Sequence, residues 1–333
     1  MGLLRLFLAS LVLISHLGIS VAGVNPGVSA VAIFYLLAGR VVSRLWREQP
    51  ERGVISGGMW FYRDRLWRIL PLYMFALIVA FIVWLLGASS PFLLREPEMT
   101  DWLANLLIVP LSYYMYSGQD AFTLLPPAWS LGVELQFYLL VPLLLSRPLW
   151  AVVFSALSFL TFSSAQLGWL DTDVFGYRLL AGIGFVFMLG VLLDRPSRLG
   201  RLWIYALWLV SALYVFWLLG WGTHVPYNLE VALGIALGVP ILLVMERRGS
   251  SRSWRWLQRT AGELSYGVFL LHFPVIWALQ LLGFSGPRTV LAVWLASAGL
   301  AWLGHRMVER PVWRLFRPRL PGHGVSYKRS SSR

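Results

Sequence analysis

Arg5 and, after ten intervening residues, His16 are two ionisable groups on an otherwise apolar first stretch of the chain. Eleven positions make about three turns of α-helix, so both side chains share one face and lie roughly 16 Å apart along the axis. That layout suits a ligand that is anionic at one end and reactive at the other. Glu134 sits at comparable depth in its own helix, about 9 Å from the outer end against about 12 Å for His16. A carboxylate bonded to one imidazole nitrogen would fix the tautomer and leave the other nitrogen as a general base. Arg65 and Arg68 are neighbours on one helix face at the level of Arg5, and guanidinium forks match phosphate groups. His272, two residues before Pro274, reads as a second polar wall of a cavity or as the partner of a carbonyl freed by the proline.

Each of these residues also has a plainer reading. His16 can bond a backbone carbonyl, and Glu134 can tie two helices together. Arg65 and Arg68, with Arg40 and Arg44, can be orientation signals or headgroup contacts. Glu309 reads as an ion-pair partner for inner-face arginines, and Glu230 has no evident partner. A charge within a span costs about 2.5–3.5 kcal/mol on insertion scales, which makes each of these groups a functional candidate.

The elements that must position them are membrane helices. Of 333 residues, 58% are hydrophobic and 13% charged, with a mean hydropathy of +0.68. Apolar runs long enough to cross a bilayer recur from end to end. The expectation is an all-α polytopic membrane protein of about ten transmembrane helices. They fall near 3–24, 27–43, 69–87, 128–146, 149–166, 176–193, 202–220, 228–245, 264–283 and 289–305. The net charge is +13, yet all Lys and Arg except Arg95, Arg178 and Arg288 fall on one side of this topology. That is the positive-inside pattern, with both termini cytoplasmic, and it accounts for the basicity without a nucleic-acid partner. There is no cysteine, which excludes disulfides, thiolate metal sites and a cysteine nucleophile. The N-terminal stretch is too long for a cleaved signal and carries His16. Residues 88–127 form a long outer segment with a re-entrant or interfacial helix over about 102–111. The transmembrane domain spans 1–316, and 317–333 reads as a disordered basic cytoplasmic tail.

Five segments, in this order, make the chain resemble the acyltransferase 3 family of bacterial membrane proteins over nearly its whole length. They are Arg5-x10-His16; Phe34-Tyr35-Leu36-Leu37-Ala38-Gly39; Arg65-x-x-Arg68-Ile69-x-Pro71-x-Tyr73; Trp129-Ser130-Leu131-Gly132-Val133-Glu134-Leu135-Gln136-Phe137-Tyr138; and Leu264 to Pro274 paired with Glu309-Arg310-Pro311. The resemblance implies transfer of an acyl group, usually acetyl from acetyl-CoA, to a hydroxyl of a cell-envelope or secreted carbohydrate at the bacterial inner membrane. It implies functional roles for Arg5 and His16 and for the pair Arg65 and Arg68. The CoA phosphates would dock on Arg5, Arg65 and Arg68, and the thioester would arrive near His16, acting as base or as transient acyl carrier. Glu134 would orient His16 or hold the acceptor, a sugar or lipid-linked sugar. Trp129, Tyr138 and His272 are substrate-side candidates, and no metal is implied.

The chain departs from the family pattern in several places. Leu135 stands where a second acid is usual, Ala38 where a serine is usual, and Arg40 follows Gly39. Asp64 can neutralise part of the basic run. Many relatives carry a further helix and an extracytoplasmic domain, so transfer here would finish within the membrane domain or with an extracytoplasmic partner. Two other readings compete: a transporter or flippase for a carbohydrate or lipid-linked sugar, with His and Glu as proton relay, and a sensor with a vestigial site.

Overall fold

Gly18 stops the first helix at His16. In the computed structural model, which describes residues 1–50, 53–245 and 251–316, α1 runs Gly2–His16 and Gly18 takes a left-handed φ of 80°. Its N–H bonds Ser15 O at 3.1 Å, and the Ile19 N–H bonds Ile14 O at 3.2 Å. This is the Schellman closure that a glycine just beyond a helix end permits. The expected helix through residue 24 is therefore corrected. Residues 17–24 are apolar enough to continue, but Gly18 turns the backbone. At about 1.5 Å per residue α1 is roughly 22 Å long, short of a hydrocarbon core of about 30 Å. His16 sits at its C-terminal end rather than well inside it.

The chain continues with α2 (Pro26–Glu48), α3 (Val54–Leu85), α4 (Met99–Leu107), α5 (Tyr114–Ser117), α6 (Ala128–Ser146) and α7 (Pro148–Gln166). A π-turn at Val174–Arg178 leads into α8 (Leu180–Leu192), followed by α9 (Arg198–Gly220), α10 (Asn228–Met245) and α11 (Arg252–Leu281). Helix α12 (Val290–Gly304) joins α13 (Arg310–Phe316) through a second π-turn. Among the described residues nine helical segments are long and apolar enough to cross a membrane, and α1 is shorter. The protein is an all-α, multi-pass membrane protein. The expected tail, 317–333, lies outside the described residues.

Helix α3 begins at Val54, not near residue 69, and α11 at Arg252, not near 264. Hydropathy marks where lipid ends, whereas a helix ends only where the backbone is broken or capped. Arg65 and Arg68 are consequently interior residues of a 32-residue helix. α4, at nine residues, is too short to span. Its Asp101 and Asn105 face inward, tied to Arg95 at 2.8 Å and to the Leu124 N–H at 2.9 Å.

Helix α2 is the central post, packed against α1, α8 and α10, while α1 also lies on α11. Its start is set by Asn25, whose side chain accepts the Gly27 N–H at 3.0 Å, with Pro26 in the first turn. Glu230 caps the same turn, accepting the Asn25 N–H at 3.3 Å. Helices α7, α9 and α12 turn leucine, valine and tryptophan side chains outward, a surface that lipid tails solvate and water would not.

Small residues let α2 and α8 touch. A Cβ on Gly39 would stand 1.8 Å from Phe187 O, and one on Gly190 2.1 Å from Leu36 O. Such contacts hold helices together where no hydrophobic drive separates protein from lipid. Gly39→Ala is expected to destabilise the fold by about 1–3 kcal/mol through overpacking. Gly299→Ala, whose Cβ meets nothing within 4 Å, serves as the control. Thermal unfolding of both variants in detergent checks this, and equal midpoints would count against the contact.

Candidate active site

Two cavities lie in line along α2. The larger, of about 260 Å³, is lined by Arg5 of α1, Arg65 and Arg68 of α3, Glu134 and Tyr138 of α6, and Tyr266 of α11. One face of α2 supplies its side wall from Val41 to Val31, ten positions or about 15 Å of helix. The smaller, of about 80 Å³, is lined by Ser15, His16, Asn25, Trp129, Tyr177, Arg178 and Tyr227. The walls of both include Val31, Ser130 and Phe269, so these three stand between the cavities, at the neck that separates them.

The three arginines converge but are not equivalent. Arg65 is bound by its neighbour Asp64, Nη2 to Oδ2 at 2.5 Å, as the sequence anticipated, and Arg68 is paired with the fully buried Glu309. Glu309 also accepts a hydrogen bond from His305 Nδ1–H at 2.6 Å, and the Arg68 guanidinium lies 4.6 Å from the Trp313 ring centroid. Arg5 alone of the three makes no side-chain hydrogen bond or ion pair among the described residues. It is placed by the start of α1: the Met1 amino group and the Leu3 N–H both donate to Gln258 Oε1, at 2.6 and 3.1 Å.

His16 meets His272, not Glu134. His16 Nδ1 is 2.9 Å from His272 Nε2, and the rings stack with centroids 5.1 Å apart. The tautomers follow from the network. His272 Nδ1 lies 3.2 Å from Val268 O; a carbonyl only accepts, so this nitrogen carries the proton. His272 Nε2 then accepts, His16 Nδ1 donates, and His16 Nε2 is left with a lone pair.

Two expectations are corrected here. Glu134 bonds the Tyr138 hydroxyl and lines the arginine cavity, so equal depth did not bring it to His16. His272 is completely buried and lines neither of the two cavities; what it meets is the His16 ring. Its bond goes to Val268 O, not to Leu270 O, the carbonyl that Pro274 frees. Trp129 does face the His16 chamber, while Tyr138 faces the arginines, 5.8 Å from the Arg65 guanidinium.

Arg178 is a member of the site that sequence reading passed over. Its guanidinium lies 4.8 to 5.5 Å from the centroids of Trp129, Tyr114, Tyr177 and Tyr227, a cation held over aromatic faces. Asp173 Oδ1 accepts its Nε–H at 2.6 Å. Burial pushes the Asp173 carboxyl above its usual range against the pull of Arg178, and pushes the Tyr114 phenol up to about 12. The available signal was an arginine on the side that the charge rule empties, beside Tyr177 and five residues after an acid.

The family model described as an acyltransferase domain (Acyl_transf_3) matches residues 1–304. The chain belongs to this acyltransferase family. It is 25% identical over 340 residues to Acyltransferase MdmB of Streptomyces mycarofaciens, covering 89% of this chain and 83% of that protein. It is 24% identical over 346 residues to the Putative peptidoglycan O-acetyltransferase YrhL of Bacillus subtilis, covering 93% of this chain and 54% of that protein. An uncharacterized protein of Aquifex aeolicus is 30% identical over 200 residues, 57% of this chain and 89% of its own. No solved structure matches.

Proposed function

We propose that the protein is an O-acetyltransferase of the bacterial cytoplasmic membrane, moving acetyl from acetyl-CoA to a hydroxyl of a cell-envelope or exported carbohydrate. The observation that carries this reading is the alignment of the Arg5 cavity, the neck and the His16 chamber. With the basic end of the bundle and both termini in the cytoplasm, the donor enters from the side where it is made.

The CoA phosphates take charge-assisted bonds from Arg5 and from the outward edges of Arg65 and Arg68. The neutral arm follows the α2 wall, and the thioester reaches the neck. His16 Nε2 takes the proton of the acceptor hydroxyl as its oxygen attacks the thioester carbonyl. The carbon–sulfur bond then breaks, and the imidazolium returns the proton to the leaving thiolate. The products are the acetyl ester and CoA thiol. His272 keeps His16 in the productive tautomer throughout, as the orienting acceptor does in a nucleophile–histidine pair. Glu134 supplies countercharge in the donor cavity.

Trp129, Tyr177 and Tyr227 offer apolar faces to a sugar ring, and the terminal nitrogens of Arg178 make no hydrogen bond among the described residues. Arg178→Gln is expected to raise the acceptor KM by about tenfold and to leave donor affinity unchanged. Initial rates against acceptor concentration check this; a weakened donor Kd instead would place Arg178 on the other substrate.

The test of the reading is release of CoA thiol from acetyl-CoA by protein in nanodiscs, with cell-envelope oligosaccharides as acceptors and the ester detected by mass spectrometry. Acceptor-dependent release is expected. Absence of both binding and turnover, with passage of a labelled oligosaccharide across proteoliposomes, would turn the assignment to transport.

A further inference from the structure

The wall of the donor cavity contains a buried tyrosine hydroxyl. Tyr35 is 2% exposed, and its phenolic oxygen has no hydrogen-bond partner among the described residues. Buried hydroxyls are ordinarily paired, and one left unpaired is a cost that needs a reason. The ring itself is fixed by packing, 4.5 Å from Phe187 between centroids, on the part of α2 that Gly39 draws against α8.

Its position offers the reason. Tyr35 follows Val31 by four residues, one turn along the same face of α2, and Val31 belongs to the neck. Tyr35 therefore lines the larger cavity just short of the constriction. Ser130, also of the neck, donates its hydroxyl proton to Pro127 O at 2.9 Å. Only its lone pairs remain to be offered to a ligand. The neck residues Val31, Ser130 and Phe269 carry no charge, whereas the arginines gather toward the opposite end of the cavity.

One spare donor and one spare acceptor, in an uncharged passage, complement a secondary amide, whose carbonyl accepts while its N–H donates. A phosphate would use only the donor, and an alkyl chain neither. We propose that Tyr35 and Ser130 form a subsite for the amide-bearing pantetheine arm of the donor. Tyr35 donates to an amide carbonyl, and Ser130 accepts from an amide N–H. The subsite rests on the donor reading given above. It sets how far the arm advances and so places the thioester at the neck.

Tyr35→Phe removes the hydroxyl and nothing else, and is the first variant to make. Calorimetry with acetyl-CoA and with adenosine 3′,5′-bisphosphate, which carries anionic groups but no arm, separates arm from headgroup. Tyr35→Phe is expected to weaken acetyl-CoA binding about tenfold and to change the bisphosphate Kd by less than about twofold. Its unfolding temperature is expected to stay level or rise, because a buried orphan has gone. Ser130→Ala is expected to shift acetyl-CoA in the same direction and the bisphosphate not at all. Unchanged acetyl-CoA affinity in Tyr35→Phe, or equal losses on both ligands with a lower unfolding temperature, would overturn the subsite. If the wild type binds the bisphosphate and acetyl-CoA equally well, the arm is not recognised and the subsite fails while the donor cavity stands. If it binds neither, the donor reading fails and takes the subsite with it.

Discussion

His16→Ala is expected to lower acyl transfer by about two to four orders of magnitude, the usual contribution of a positioned general base, while acetyl-CoA still binds. The expectation follows from the tautomer network. The proton on His272 Nδ1 is committed to Val268 O, so among the described residues His16 Nε2 is the imidazole nitrogen of the small chamber left to take a proton. His272→Leu removes the acceptor that holds the ring, and is expected to give an intermediate loss with donor affinity intact. Single-turnover release of CoA thiol, measured beside equilibrium binding, separates the two effects. If His16→Ala keeps wild-type turnover, proton transfer through this imidazole is excluded. If His272→Leu is as inactive as His16→Ala, orientation matters as much as basicity.

Arg5→Ala is expected to weaken acetyl-CoA about ten- to hundredfold, the range for losing a charge-assisted bond in a partly desolvated site, with little change in unfolding temperature. Among the described residues Arg5 has no ion-paired carboxylate to strand. Arg68 differs, because Arg68→Ala would leave Glu309, which is 0% exposed, without its cation. Breaking one side of a buried pair costs about 3–5 kcal/mol. Arg68→Ala should therefore lose stability along with affinity, and its binding data alone would not identify a ligand contact. Calorimetry and thermal unfolding on both variants provide the check. Wild-type affinity in Arg5→Ala would remove the phosphates from this end of the cavity.

The membrane class and the all-α architecture were legible in the chain, because each depends on composition within single segments. The gathering of Arg5, Arg65 and Arg68 around one cavity was legible too, since each stands where an apolar run begins, whether or not a helix starts there. The end of α1 was missed even though Gly18 is its visible cause: the apolar run beyond it outweighed one glycine. The starts of α3 and α11 were missed because charged residues end an apolar run without ending a helix.

The partner of His16 was the larger error, and it was of another kind. Periodicity reports which face of a helix a residue occupies, and distance from a helix end reports its depth. His16 and Glu134 agreed in depth, but α1 packs on α11 and α2, whereas Glu134 faces the arginines from α6. Which helix stands opposite which depends on close approaches such as that of Gly39 to Phe187, between residues far apart in the chain. The recruitment of Arg178 into the aromatic chamber, and the burial of the Tyr35 hydroxyl with no partner among the described residues, depend on the same assembly. By itself the sequence determined a membrane bundle with a basic end and a list of polar residues buried within it. Tertiary packing alone decided which of those residues meet, because helix azimuth and neighbour are properties of pairs of helices and are not written in either one.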